Sequence, residues 1–174
     1  MIAEQGKNTN QMKERILTPG RGFVNALESF ILAAQLTNLS RRRCLQSSEF
    51  GKPFVMEIGA YASNVKPPAY TEERLEKASR NLMLLALGAT AIAADQALKD
   101  TFGERNPFDT SELGSMRAVI YMLRCSFAHT PLQPRWKIES KYQRTYTLMP
   151  DGMPPIRFDG TSLNKQAVSI EALG

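Results

Sequence analysis

Residues 82–94 read Leu-Met-Leu-Leu-Ala-Leu-Gly-Ala-Thr-Ala-Ile-Ala-Ala, thirteen positions without a charge. This run lies within a helix that Thr71 caps, that carries Glu72 and Glu73 in its first turn, and that the spacing extends to about Phe102. A helix apolar on every side has to be covered on every side, and one small domain rarely manages that alone. Either a second copy packs against it or the chain wraps it as a central helix. Gly88, Ala89, Ala91, Ala93 and Ala94 allow close backbone approach in both cases. The run is shorter than the ~20 residues that a membrane-spanning helix needs, so a buried helix of a soluble protein is expected.

The remainder of the chain fits one domain with a substantial core. Of its 174 residues, 43% are hydrophobic and 22% charged, which excludes disordered and fibrous classes. The polar start, residues 1–15, has no signal-type apolar run, and a cytoplasmic location is expected. Cys44 and Cys125 have neither CxxC nor Cys/His spacing, so both are expected as thiols, and no metal or cofactor is expected. The formal charge of +5 permits a polyanionic partner only where the cations cluster.

Periodicity orders the other elements. Residues 1–20 end in Thr18-Pro19-Gly20 and read as a mobile arm or short leading helix. Phe23, Leu27, Phe30, Ile31, Ala34 and Leu39 recur at helical spacing in a first amphipathic helix reaching about Leu45. Arg41, Arg42 and Arg43 in its last turns either complement the helix dipole or form a phosphate-contacting, RNA-binding patch. Residues 46–70 read as a long connection with one extended piece at Val55-Met56-Glu57-Ile58. Thr110 or Ser111 caps a further helix that runs to about Ala128 and is stopped by Pro131. From Trp136 to Leu148 the period becomes two, with Trp136, Ile138, Tyr142, Tyr146 and Leu148 on one face. Asp151-Gly152 turns into a return strand at Ile156 and Phe158, Asp159-Gly160 turns again, and a short Val168-Ser169-Ile170 piece follows. The expected fold is mainly α: an arm at 1–20, a helical bundle at 21–131 and a β-hairpin extension at 132–174 packed on the bundle.

Chemistry concentrates at the end of the 111–128 helix, where Arg124-Cys125-Ser126-Phe127-Ala128-His129 contains the only histidine of the chain. An arginine among Val119, Ile120, Met122, Leu123 and Phe127 calls for a cleft, a phosphate or a carboxylate. Glu28 and Glu112 are the candidate carboxylates, in which case His129 merely closes the helix. Arg117, seven residues earlier, falls on the same side. Arg124 and His129 are separated by roughly 140° around the axis, a gap that a long side chain and a frayed last turn can narrow. The inventory holds no phosphate-binding glycine loop and too few ligands for zinc. Cys125 with His129 as thiol and base is one catalytic option. Metal-free RNA cleavage suits the inventory better, because the ribose 2′-hydroxyl is an internal nucleophile needing orientation, proton transfer and charge stabilisation. One histidine per chain supplies a single proton-transfer group, and a two-fold dimer supplies two. Arg135 and Lys137, interleaved with Trp136, Tyr142 and Tyr146, either form an RNA-binding surface or flank aromatics that pack in the core.

The Arg124-x4-His129 spacing, followed by Thr130-Pro131 at the end of a helix, resembles the Arg-x(4-6)-His signature of the HEPN superfamily over residues 21–131. The resemblance implies a HEPN-like helical bundle and a homodimer whose motifs face each other. It also implies a metal-independent endoribonuclease that leaves a 2′,3′-cyclic phosphate. His129 would then transfer protons and Arg124 would hold the scissile phosphate, with Cys125, Ser126 and Arg117 as accessory candidates. Cys125 stands where the family's catalytic motifs commonly place Asn, Asp or His. The family also includes non-catalytic relatives with binding or scaffolding roles, so the alternative is a silent dimer that binds nucleotide, RNA or a protein partner; for a toxin, an antitoxin protein is the expected partner.

Overall fold

The computed structural model describes the backbone of residues 5–169 and the side chains of residues 20–169. In chain order it contains α1 (Gln5–Arg41), α2 (Ser47–Phe50), β1 (Phe54–Ile58), β2 (Tyr61–Val65), α3 (Glu72–Phe102), α4 (Glu112–Phe127), β3 (Thr145–Leu148), β4 (Ile156–Asp159) and α5 (Gly160–Leu163). The protein is mainly α-helical, with two antiparallel sheets of two strands each among the described residues. Phe30–Met83 forms one compact unit, and the stretches before and after it form the other.

α1 differs from its sequence reading at both ends and in its buried face. It runs through Thr18-Pro19-Gly20, where the punctuation predicts a break. A proline inside a helix forgoes one main-chain hydrogen bond, and here it does not end the element. At the other end the helix stops at Arg41, short of Leu45, and the reason lies in the arginines themselves. Arg43 is left-handed at φ 54°, its N–H donates to Ser40 O (2.9 Å), and the Cys44 N–H donates to Leu39 O (2.9 Å). This is a Schellman closure, with an arginine where glycine is usual.

In the Phe30–Met83 unit, the α1 residues that bury themselves are Ala33, Thr37 and Ser40, while the larger Ile31, Leu32 and Leu39 are exposed. Small side chains allow close approach, and the Thr37 hydroxyl uses it to donate to the carbonyl of Ser79 on α3 at 3.0 Å. The same unit carries a second hairpin, where one extended piece was expected. β1 pairs with β2 from Phe54↔Val65 to Ile58↔Tyr61. Gly59, at φ 59°, makes the two-residue turn possible. The sequence reading missed β2 because Tyr-Ala-Ser-Asn-Val lacks an apolar alternation. Phe54, Val55, Ile58 and Tyr61 are all exposed on this hairpin.

α3 begins and ends as the sequence indicates. The Thr71 hydroxyl oxygen accepts from the Arg74 N–H at 3.2 Å, and the helix closes at Phe102. Its Leu82 in the Phe30–Met83 unit and its Leu85 and Ile92 in the other are 44–50% exposed among the described residues. Among the described residues it is the one helix long and apolar enough to cross a membrane by length and composition, a test that a core helix also passes.

The core of the other unit joins α4 to the segment after it. Ala118, Met122 and Phe127 of α4 cluster with Trp136, Ile138, Tyr142, Tyr146, Phe158 and Val168, so the later segment supplies the larger part. Its alternating burial follows the expected period, but its backbone is a strand only from Thr145. Trp136 instead exchanges main-chain bonds with Lys165 and Gln166, and a 3-10 turn occupies Ser140–Tyr142. β3 and β4 pair from Thr145↔Asp159 to Leu148↔Ile156. Gly152, at φ 71°, lies in the turn between them. Asp159 caps α5, accepting from Thr161 and Ser162, where a turn was expected. Val168 bonds to Pro134, and Ile170 lies outside the described residues.

At Gly88, α3 meets the Phe127 ring of α4. A Cβ placed there would lie 2.8 Å from Cδ1 of Phe127, itself buried in the core. Gly88→Ala should therefore destabilise the protein by about 1–3 kcal/mol through overpacking, although alanine is the better helix former. Thermal unfolding that is unchanged or improved would contradict this packing.

Candidate active site

α4 is held in place at its start by Ser111, whose hydroxyl oxygen accepts from the Gly114 N–H at 3.0 Å. Its last turn closes at Ala128, which donates to Cys125 O at 3.4 Å. His129 and Thr130 follow in an exposed turn, and the Thr130 hydroxyl donates to Gln133 O at 3.0 Å. The helix therefore delivers Arg124 and His129 at one end, both open to solvent.

The carboxylate that meets Arg124 is Asp95 of α3, in place of Glu28 or Glu112. Asp95 is 7% exposed and shares its two oxygens between two guanidiniums. Arg105 Nη1 donates to Oδ1 at 2.5 Å and Arg124 Nη1 donates to Oδ2 at 2.9 Å. Arg105 also lies over the Tyr121 ring at 3.7 Å and donates from Nε to the Tyr142 hydroxyl at 3.3 Å. Burial opposes its charge, but the Tyr142 hydroxyl and the Asp95 carboxylate outweigh it and hold the guanidinium above its ordinary pKa. Arg124 is tethered by one nitrogen, and its side chain remains 46% exposed.

Beside this network, burial first, then the Cys125 thiol and the Glu139 carboxylate, push the Tyr121 phenol well upward. Tyr121 donates to Glu139 Oε1 at 3.1 Å. The Lys141 ammonium, followed by that hydroxyl, holds the Glu139 carboxyl below its usual range.

His129 lines a cavity of about 310 Å³ together with Cys125, Ser126, Thr130, Arg135, Trp136, Lys137 and Lys165. Five residues singled out from the sequence thus meet there: His129, Cys125, Ser126, Arg135 and Lys137. Among the described residues no carboxylate lines the cavity. Among the described residues His129, Arg135, Lys137 and Lys165 have no ion-pair partner. Ser126 is committed elsewhere, its hydroxyl donating to Met122 O at 2.8 Å.

Other candidates separate from this cluster. Arg117 is buried and its Nη2 donates to Gly103 O at 2.6 Å, so it closes the loop after α3, where the Glu104 and Asp109 carboxylates feel its charge. Arg41, Arg42 and Arg43 belong to the Phe30–Met83 unit, where Arg43 shapes the end of α1. Tyr142 and Tyr146 pack in the core, and Trp136, also packed there, reaches the edge of the His129 cavity. Arg124 does not line the cavity that contains His129.

Asp95, Arg105 and Lys165 were not picked out from the sequence. Asp95 left a trace there, as the first acidic residue after Glu76 and the end of the apolar run. Among the described residues no group of three or more His, Cys, Asp or Glu side chains is placed to hold a metal. Comparison of the chain with protein-family models, characterised proteins and solved structures gives no match.

The shared carboxylate predicts an asymmetry. Asp95→Ala strands two guanidiniums, one of them mostly buried, and should cost about 3 kcal/mol. Arg124→Ala removes a half-exposed partner and should cost under about 1 kcal/mol. Chemical denaturation of both variants checks this, and equal losses would contradict it.

Proposed function

We propose that the protein is a metal-independent endoribonuclease of HEPN type that acts as a homodimer, with Arg124 and His129 of both subunits forming one site. The observation that carries this reading is the pairing at the end of α4 of an anchored arginine and a free histidine. The buried Asp95 fixes Arg124 by one nitrogen, and the arginine side chain stays 46% exposed. His129 has no hydrogen-bond partner among the described residues. An oriented guanidinium stabilises charge developing on phosphorus, and an unencumbered imidazole moves protons to and from ribose oxygens.

The dimer is supported by apolar surface that the described residues leave open. On α3 this is Leu82, Leu85 and Ile92, and on α1 it is Val24 and Leu27 in one unit and Ile31 in the other. A second copy covers such faces and brings a second imidazole, giving separate acid and base. The expected setting is the cytoplasm, and an antitoxin partner is consistent with a toxin role.

A second reading, a non-catalytic dimer that binds RNA or nucleotide, is favoured by one observation: Arg124 is paired with Asp95 and stands outside the His129 cavity.

Labelled RNA incubated with the protein in excess chelator distinguishes the two. Cleavage should fall at least about 100-fold in both His129→Ala and Arg124→Ala, with folding retained. Wild-type protein that binds RNA without cutting it would overturn the nuclease reading in favour of the second. Cutting that survives in His129→Ala would overturn the assigned site.

A further inference from the structure

Lys165 occupies a backbone conformation that glycine adopts freely and lysine does not, at φ 69°. The position is fixed from both sides. The Lys165 N–H donates to Trp136 O at 2.8 Å, and Trp136 N–H donates to Gln166 O at 2.9 Å. Ile138 N–H donates to Asn164 Oδ1 at 3.1 Å, and Arg135 bridges Ala167. Residues 164–167 are thus laced along 134–138, where Trp136 and Ile138 point into the core and Arg135 and Lys137 point out. The lacing brings Lys165 to the cavity that Arg135 and Lys137 line with His129. A non-glycine held in the left-handed region is retained where the surroundings over-determine it, and such positions gather at ligand sites.

Cations gathered without a counter-ion repel one another, and a bound anion relieves that repulsion. Among the described residues the one side-chain hydrogen bond made by the three is a long one, from Arg135 Nη1 to Lys165 O at 3.4 Å. From this convergence of Arg135, Lys137 and Lys165 on one cavity, we propose that it is a subsite for the phosphate of a single nucleotide unit, with Lys165 and Lys137 on the phosphate oxygens. At about 310 Å³, it exceeds what a bare phosphate fills and falls at the small end of the ligand-pocket range. The proposal rests on the RNA reading for the nucleotide's source: the subsite holds the phosphate next to the one being cut.

Trp136, the only tryptophan of the chain, lines the cavity and reports its occupancy without any cleavage. The full-length protein is titrated with inorganic phosphate, uridine monophosphate and uridine while tryptophan emission is followed. Both phosphate compounds should give saturable changes that weaken with salt, the nucleotide binding more tightly, and uridine should give none. Lys165→Gly should weaken nucleotide binding about tenfold while its melting temperature stays the same or rises, an outcome that a purely structural lysine would not give. Lys137→Gln should weaken binding similarly.

A flat response to both phosphate compounds, uridine binding as well as its monophosphate, or wild-type affinity in Lys165→Gly would overturn the subsite. Phosphate binding without RNA cleavage leaves the subsite standing and defeats the nuclease reading alone. Cleavage with no phosphate binding does the reverse.

Discussion

One buried carboxylate organises the unit that contains α4. Asp95 sits on α3 near the end of a long apolar run, and each oxygen accepts from a different arginine, one from the loop after α3 and one from α4. Through Arg105 the same network reaches Tyr121 on α4 and Tyr142 in the segment beyond it. A carboxylate so buried is tolerable only when its oxygens are satisfied, so the arginines are constrained as firmly as the acid. Arg124 is thereby aimed while its side chain stays about half exposed, the condition that an anion-handling arginine has to meet.

The segment after Pro131 is a structural partner of α4 and contributes most of the core around it. The period-two alternation that buries Trp136 and Ile138 necessarily turns Arg135 and Lys137 outward. The pairing that holds this segment to residues 164–167 adds Lys165 to the same rim. Core formation and charge clustering are therefore one event, and the cations by His129 need no separate scaffold. The glycine at position 88 completes the arrangement by letting Phe127, two residues before His129, seat directly on α3.

Local signals were legible in the sequence. Thr71 and Ser111 cap helices because their hydroxyl oxygens satisfy orphan N–H groups of the first turn, which depends on near neighbours alone. The β3–β4 pairing and the burial of Tyr146 and Phe158 follow from alternation around a glycine turn. What escaped depends on distant parts of the chain. α1 buries Ala33, Thr37 and Ser40 because close approach to α3 favours small residues, an outcome invisible to a count of large apolar positions. Of the candidate site, His129, Cys125, Arg135 and Lys137 could be named beforehand. Asp95 could not, because α3 offers it only once the two helices meet. Lys165 could not either, because its left-handed backbone is imposed by tertiary pairing and carries no residue signature.

The proposed chemistry asks for two imidazoles while each chain has one, and the uncovered leucines and isoleucine on α3 leave room for the second copy to bring it. Subunit mixing tests that shared site most directly. His129→Ala chains are inactive alone on this account, and a co-expressed, purified mixed dimer with one wild-type chain keeps both arginines but a single imidazole. The account predicts RNA cleavage by this mixed dimer at least about tenfold below that of the wild-type dimer. A mixed species with half the wild-type activity, or a protein that remains monomeric at every concentration, would contradict it.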